Sequence, residues 1–142
     1  MIKILLADDY YIVRKVLRSL LENEKDFEIV GEAANGLETV ELCRSLQPDI
    51  LLLDLMMPGI NGLEVISRLA RICPQIRIII ISMHSNEAYV NEALRRGAKA
   101  YVLKEAAADE LVNAVRRVKD GAIFVSSSLQ TQSQADLQNK SL

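Results

Sequence analysis

The chain has 142 residues, which is enough for one domain with a buried core and too few for two ordinary domains. Half of the residues are apolar, a quarter are charged and only 4% are aromatic, so the composition excludes a disordered chain and favours aliphatic strands covered on both faces. The net charge of −2 gives no electrostatic reason to bind nucleic acid or an anionic membrane, and no segment reaches the roughly 18 apolar residues of a membrane-spanning helix.

Five short aliphatic runs alternate with five helical patterns along the chain. The runs predict strands at residues 2–7, 27–33, 49–54, 76–81 and 99–103. Apolar residues spaced three and four positions apart predict helices at residues 12–22, 36–46, 63–73, 86–96 and 107–119. This alternation indicates an α/β fold in which right-handed crossovers join parallel strands and helices cover both faces of one sheet.

The first helical pattern also predicts which of its side chains face the core. Its apolar stripe consists of Ile12, Val13, Val16, Leu17, Leu20 and Leu21. The opposite face, which we expect in solvent, carries Arg14, Lys15, Arg18 and Glu22.

Polar residues interrupt the aliphatic runs at the ends of four predicted strands. Asp8 and Asp9 follow the first strand, Asp54 ends the third, Ser82 follows the fourth and Lys104 follows the fifth. The carboxyl ends of parallel strands lie along one edge of the sheet, where open α/β folds bind ligands. We therefore expect the three acids, the hydroxyl and the ammonium to share one cleft.

The chemistry that suits this combination is phosphoryl transfer. Three neighbouring carboxylates repel one another, and Mg²⁺ relieves that repulsion while keeping positions for water and phosphoryl oxygens. An aspartate can act as the nucleophile and form an acyl phosphate. The charge on the transferred group would then be stabilised by the metal, by the Lys104 ammonium and by the Ser82 hydroxyl.

Taken singly, each of these residues has a simpler explanation. Asp8 and Asp9 could form a helix N-cap, Lys104 could be a surface lysine, and Tyr101 could be a half-buried tyrosine of the fifth strand. His84, the only histidine, is more typical of a solvated loop than of a ligand. It is the common position of these residues at strand ends that indicates a site.

Five longer motifs surround these strand ends. They are Leu-Leu-Ala-Asp-Asp at 5–9, Pro-Asp-Ile-Leu-Leu-Leu-Asp-Leu-Met-Met-Pro-Gly at 48–59, Asn-Gly-Leu-Glu at 61–64, Ile-Ser-Met-His at 81–84 and Gly-Ala-Lys-Ala-Tyr-Val-Leu-Lys at 97–104. Together they resemble the receiver domain of bacterial response regulators, and Val-Gly-Glu-Ala-Ala-Asn-Gly at 30–36 is more similar to its NarL/FixJ (LuxR-type) subfamily. The resemblance implies a flavodoxin-like (CheY-like), doubly wound, five-stranded sheet of order 2-1-3-4-5 with five helices.

The resemblance also implies roles for individual residues. Asp54 resembles the phosphoacceptor, and Lys104 resembles the ammonium that pairs with it or with its phosphate. Asp9 and Asp54 would bind Mg²⁺ directly, Asp8 would bind it through water, and the backbone carbonyl of Met56 would complete the protein ligands.

Two further positions resemble the family's switch residues. Ser82 resembles the hydroxyl that turns toward the phosphoryl group, and Tyr101 the aromatic whose ring then moves inward. The chain departs from the family pattern in having Ser82 where threonine is commoner and Glu105 where many members have a proline after a cis peptide bond. Met56 and His84 would border the acyl phosphate, and we expect the apolar Met56 side chain to hinder the hydrolytic water.

Residues 1–122 are predicted to form the receiver domain, and the polar residues 123–142 a linker or tail. The resemblance implies a sensor histidine kinase as partner, a phosphorylation-dependent homodimer, and transcriptional control through a helix-turn-helix DNA-binding domain beyond residue 142. The alternative is a stand-alone receiver that acts by binding other proteins. Because either output is a binding event, we do not expect an enzyme.

A rival interpretation from another class is an α/β enzyme or flavin-binding module. No glycine-rich loop follows the first strand, and Asp8 and Asp9 would repel a flavin phosphate. Cys43 and Cys73 lie on apolar helical stripes, which indicates buried free thiols in a reducing compartment. Since the apolar N-terminus is too short for a signal peptide, we expect a cytoplasmic protein without membrane contact.

Overall fold

Strands and helices alternate throughout residues 1–129, which are the residues that the computed structural model describes. The strands are β1 (Ile2–Ala7), β2 (Phe27–Ala33), β3 (Ile50–Asp54), β4 (Arg77–Ser82), β5 (Ala100–Leu103) and β6 (Phe124–Val125). The helices are α1 (Tyr11–Glu22), α2 (Gly36–Leu46), α3 (Gly62–Ile72), α4 (Glu87–Arg96) and α5 (Ala107–Lys119). Lys104–Ala106 form a short 3-10 turn between β5 and α5. In this part of the chain no helix has both the length and the hydrophobicity needed to cross a membrane.

The strands form one parallel sheet in the order β2-β1-β3-β4-β5-β6. The flavodoxin-like order 2-1-3-4-5 is therefore confirmed, and a sixth strand extends it. The extra strand β6 was not predicted, because two residues are too few to show a pattern. It lies within the predicted linker 123–142, of which residues 130–142 are outside the described part of the chain.

Two apolar layers bury the sheet. One face of the sheet packs against α2, α3 and α4, and the other against α1 and α5. All five residues of β3 are buried, as expected for the central strand of a sheet covered on both sides. Cys43 and Cys73 are buried free thiols in the first of these layers, as their spacing predicted.

Three helices begin at an asparagine whose side-chain oxygen accepts a hydrogen bond from a backbone N–H of the first turn. These residues are Asn35 before α2, Asn61 before α3 and Asn86 before α4. Each cap satisfies an N–H group that has no partner inside its helix. The caps thereby fix the residue at which each helix begins after the preceding strand and loop.

The predicted orientation of α1 is wrong in part. Leu17 and Leu21 are buried, but the side chains of Ile12 and Val16 are 68% and 54% exposed. The physical reason is that α1 does not close against the start of α5. Ile12 and Val16 instead line a surface groove together with Val13, Leu17, Lys104 and Ala107.

Gly62 lets α3 start directly against the loop after β3. A Cβ atom at this position would lie 2.7 Å from Cα of Leu55 and 2.8 Å from its carbonyl oxygen, closer than real side chains approach a backbone. The Gly62 N–H donates to that same carbonyl oxygen at 2.9 Å. The close approach fixes the loop next to Asp54.

Candidate functional site

Every predicted strand-end residue lies at the same edge of the sheet. Asp8 follows β1, Asp54 is the last residue of β3, Ser82 is the last residue of β4 and Lys104 follows β5. Asp9, Asp54 and Lys104 line one open cleft, together with Tyr10, Met56, Met83 and His84. The sheet thus gathers these groups from distant parts of the sequence, as its parallel topology requires.

Three carboxylates meet at this edge of the sheet. Asp8, Asp9 and Asp54 each offer an oxygen, and these oxygens all lie within 4.8 Å of one another. Asp8 and Asp54 are buried, and Oδ1 of Asp9 is buried without a hydrogen-bond donor. A buried carboxylate oxygen without a donor is costly unless a cation completes it. The donor set, made only of hard oxygens, fits a divalent cation such as Mg²⁺.

The Lys104 ammonium lies beside this carboxylate group. Its Nζ atom is 3.0 Å from Oδ2 of Asp8 and 3.6 Å from Oδ2 of Asp54, and its side chain is 18% exposed. The contact with Asp8 lacks hydrogen-bond geometry, so it acts through charge. One positive charge therefore serves two carboxylates at once.

The Asp54 carboxyl is held partly against ionisation. Burial raises its pKa to about 6, and the negative charge of Asp8 adds to the rise. The Lys104 charge and the N–H of Met56, which donates to Oδ1 of Asp54 at 3.2 Å, act in the opposite direction. Desolvation dominates, and the carboxyl is nonetheless largely ionised at neutral pH.

Ser82 and Tyr101 are connected through the backbone of His84. The His84 N–H donates to Oγ of Ser82 at 3.0 Å, and the Tyr101 hydroxyl donates to the His84 carbonyl at 2.8 Å. Both side chains are fully buried, so Tyr101 is not the half-buried strand tyrosine of the simpler interpretation. Burial of its ring raises the pKa of Tyr101.

The role of the His84 backbone was missed by sequence reasoning, which treated His84 as a solvated loop residue. Its side chain is indeed exposed and lies near the Tyr89 ring, with the ring planes tilted by 44° and the centroids 5.4 Å apart. Its position two residues after Ser82 places it near the site, but a contact made by the main chain does not depend on residue type and leaves no signal in the sequence.

A second group of contacts was also missed. Arg14, which was expected in solvent, is only 14% exposed and donates to the backbone carbonyl of Asp8 and to the Glu32 carboxylate. Arg18 binds the other oxygen of Glu32. The signal that could have found this is the position of Glu32 beside the end of the first strand, which only the strand pairing reveals.

A family model for the response regulator receiver domain matches residues 4–116. The chain belongs to this family. The nitrate/nitrite response regulator protein NarL of Escherichia coli is 40% identical over 126 residues, which cover 89% of this chain and 58% of NarL. The receiver spans about half to three fifths of the length of the curated relatives that it matches.

Solved structures agree with this assignment. A LuxR-family two-component response regulator from Aurantimonas matches the receiver with a TM-score of 0.91 and 33% identity, covering 94% of this chain and 96% of that one. The isolated receiver domain of RcsB from Salmonella enterica matches with a TM-score of 0.86 and 28% identity over 92% of this chain and 96% of that one. The predicted membership of the NarL/FixJ (LuxR-type) group is confirmed.

Proposed function

We propose that Asp54 is the phosphoacceptor of this receiver and that Asp8, Asp9 and Asp54 hold Mg²⁺ during the transfer. The observation that carries the proposal is the convergence of three carboxylates within 4.8 Å, with the Lys104 ammonium beside them. Asp54 is the choice for the nucleophile over Asp8, because Asp54 lines the open cleft and Asp8 does not. The backbone carbonyl of Met56 is the proposed further ligand.

In the proposed transfer, an oxygen of the Asp54 carboxylate attacks phosphorus in line with the leaving group. A P–O bond forms while the bond from phosphorus to the donor breaks, either to a histidine nitrogen of a kinase or to the acyl oxygen of a small phosphodonor. Bound Mg²⁺ supplies charge neutralisation at the phosphoryl oxygens. Lys104 donates to one phosphoryl oxygen, and the Met56 N–H holds the acceptor carboxylate in place.

The proposed switch consists of Ser82, Tyr101 and the loop that carries His84. Oγ of Ser82 accepts a hydrogen bond from the His84 N–H, and the Ser82 hydroxyl also bonds to Tyr101. Its proton can turn from Tyr101 to a phosphoryl oxygen, which suits Ser82 to a switch. Tyr101 is tied to the same loop, so a shift of Ser82 is passed to the ring and to the face formed by α4, β5 and α5. This face then changes between two packings.

The proposed partner that delivers the phosphoryl group is a sensor histidine kinase in the cytoplasm. The exposed apolar residues Tyr10, Tyr11, Ile12 and Val16 lie next to Asp9 at the start of α1. An apolar patch beside a reactive group suits a helical partner that must exclude water around the transfer. We propose that the kinase docks on this patch and on the adjoining groove.

The proposed output is control of transcription through a DNA-binding domain, in parallel with relatives named as LuxR-family and DNA-binding response regulators. Dimerisation of the phosphorylated receiver would serve the same output. The alternative is a receiver that acts by binding other proteins. In both cases the receiver catalyses its own phosphorylation but works by binding, so we propose a signalling protein rather than an enzyme.

The experiment that tests the acceptor is intact-mass measurement after incubation with acetyl phosphate, with and without Mg²⁺. We expect one phosphate-sized gain that requires Mg²⁺ and disappears in Asp54→Ala. Asp49→Ala is the matched control. Asp49 is an acid directly before β3, at the end away from Asp54, and its carboxylate accepts a hydrogen bond from the Lys3 N–H. A gain that persists in Asp54→Ala, or no gain in any protein with either acetyl phosphate or beryllofluoride as probe, would refute the proposal.

A further inference from the structure

Arg14 contacts the turn that carries two of the three carboxylates. Nη1 of Arg14 donates to the backbone carbonyl oxygen of Asp8, and Nε donates to Oε1 of Glu32 at 2.9 Å. The guanidinium contacts the main chain of Asp8 and not its carboxylate, so it does not compete with a cation for that ligand. A largely buried arginine directed at a turn of the cleft is a candidate for a positioning role.

The geometry of a peptide bond explains why this contact matters. The carbonyl of Asp8 and the N–H of Asp9 belong to one planar unit. Fixing the direction of that carbonyl therefore fixes the plane from which the Asp9 side chain departs. The carboxylate of Asp8 is held separately, because its Oδ1 accepts the N–H of Tyr10 at 2.9 Å. No side chain caps α1, so Arg14 replaces a cap as the anchor of this turn.

Arg14 is itself held by Glu32 on β2. Arg18 donates to Oε2 of Glu32 through Nε at 3.1 Å and Nη2 at 2.7 Å, so two arginines share one carboxylate. Burial raises the pKa of Glu32, but the hydrogen bonds from Arg18 and Arg14 outweigh it, and the pKa lies below its ordinary value. Glu32 is therefore anionic at neutral pH and keeps both partners in place.

The base of this arrangement is the sheet. Leu6 is opposite Glu32 and Ala7 is opposite Ala33 in the pairing of β1 with β2, and the Asp8 N–H donates to the Ala33 carbonyl at 3.1 Å. The contacts thus run from the sheet through Glu32 and Arg14 to the Asp8–Asp9 peptide.

We propose that Arg14 is a positioning residue of the metal site, which holds the Asp8–Asp9 peptide so that the three carboxylates converge before the cation binds. This inference rests on the proposed function, in which the carboxylates bind Mg²⁺. Groups that hold metal ligands in place without touching the metal contribute about 10–100-fold to metal affinity. Arg14 is expected to act on Mg²⁺ affinity and to leave the phosphoryl-transfer step itself intact.

The test is isothermal titration of Mg²⁺ into metal-free protein, for the parent, Arg14→Met and Arg18→Met. Arg14→Met keeps an unbranched apolar stem and loses both contacts, so we expect its dissociation constant for Mg²⁺ to rise about 10–100-fold. Arg18→Met is the matched control, since it loses its contacts with Glu32 and Glu22 but leaves Arg14 bonded to Asp8. We expect it to bind Mg²⁺ like the parent.

A second readout separates positioning from general loss of structure. In phosphorylation by acetyl phosphate, Arg14→Met should require more Mg²⁺ for half-maximal rate and should reach the parent's rate at saturating Mg²⁺. If Arg14→Met does not fold, Glu32→Gln replaces it, and a smaller loss of Mg²⁺ affinity is expected there. Parent-like affinity in the folded variant, or equal losses in Arg14→Met and Arg18→Met, would overturn the inference. A parent that binds no Mg²⁺ would instead overturn the proposed function.

Discussion

Lys104 lies closer to Asp8 than to the proposed acceptor Asp54: its Nζ atom is 3.0 Å from Oδ2 of Asp8 and 3.6 Å from Oδ2 of Asp54. In the metal-free cleft the ammonium thus neutralises part of the charge that Mg²⁺ would otherwise neutralise. A divalent cation and Lys104 stabilise the same carboxylates, so their effects on stability depend on each other.

Lys104→Met is therefore expected to destabilise the metal-free protein at neutral pH by up to about 3 kcal/mol, because it leaves a buried carboxylate pair without its cation. Saturating Mg²⁺ should recover most of the loss, so the rise in Tm on adding Mg²⁺ should be larger than in the parent. Thermal unfolding in EDTA measures the loss of stability, and the same measurement in Mg²⁺ gives the rise in Tm. Lys99→Met, which removes an exposed lysine directly before β5, is the control. Equal Mg²⁺ effects in all three proteins would contradict the prediction.

Asp54→Asn should stabilise the metal-free protein above about pH 6. Folding raises the pKa of this carboxyl from 3.8 to about 6, so between these values the folded protein binds more protons than the unfolded chain. Stability is consequently lost as the pH rises through this window, by roughly 3 kcal/mol for a shift of about two units. Urea unfolding in EDTA at several pH values should show the parent weakening and Asp54→Asn changing less. Parallel pH curves for the two proteins would contradict this.

Met56→Asn should shorten the lifetime of the phosphorylated state. The Met56 side chain is 52% exposed at the mouth of the cleft, where an apolar group hinders an attacking water and an amide would hold one. A tenfold faster loss corresponds to about 1.4 kcal/mol of barrier, and we expect an effect of roughly this size. Phosphate loss is followed by intact mass after removal of the phosphodonor. Met83→Asn is a control in the same cleft, and equal lifetimes of the parent and Met56→Asn would remove the idea.

Tyr101→Phe should destabilise the protein by about 1 kcal/mol, since it removes the buried hydrogen bond from the Tyr101 hydroxyl to the His84 carbonyl. Denaturant unfolding measures the loss. Tyr10→Phe removes the hydroxyl of a residue that is largely exposed, and it should leave the stability unchanged. If the two variants are equally stable, the bond at Tyr101 contributes nothing to the fold.

The placement of the site could be predicted because parallel strands must end at one edge. Asp54, Ser82 and Lys104 are far apart in sequence, yet each ends or follows an aliphatic run, and the sheet brings them together. The role of Arg14 could not be predicted, since helical periodicity places it in solvent and its partner Glu32 is 18 residues away. The same periodicity buries Ile12, which the structure exposes. Periodicity identifies a helix, but the neighbouring elements decide which face is covered.

Strand β6 has a consequence for how this protein meets other chains. Its pairing with β5, together with the hydrogen bonds from Ser126 N–H to the Tyr101 carbonyl and from Leu103 N–H to Oγ of Ser126, uses backbone groups of β5. A foreign strand therefore cannot add to β5 without displacing β6. The new edge is only two residues long, which is a short template for a further strand. This side of the sheet is thereby protected against edge-to-edge aggregation.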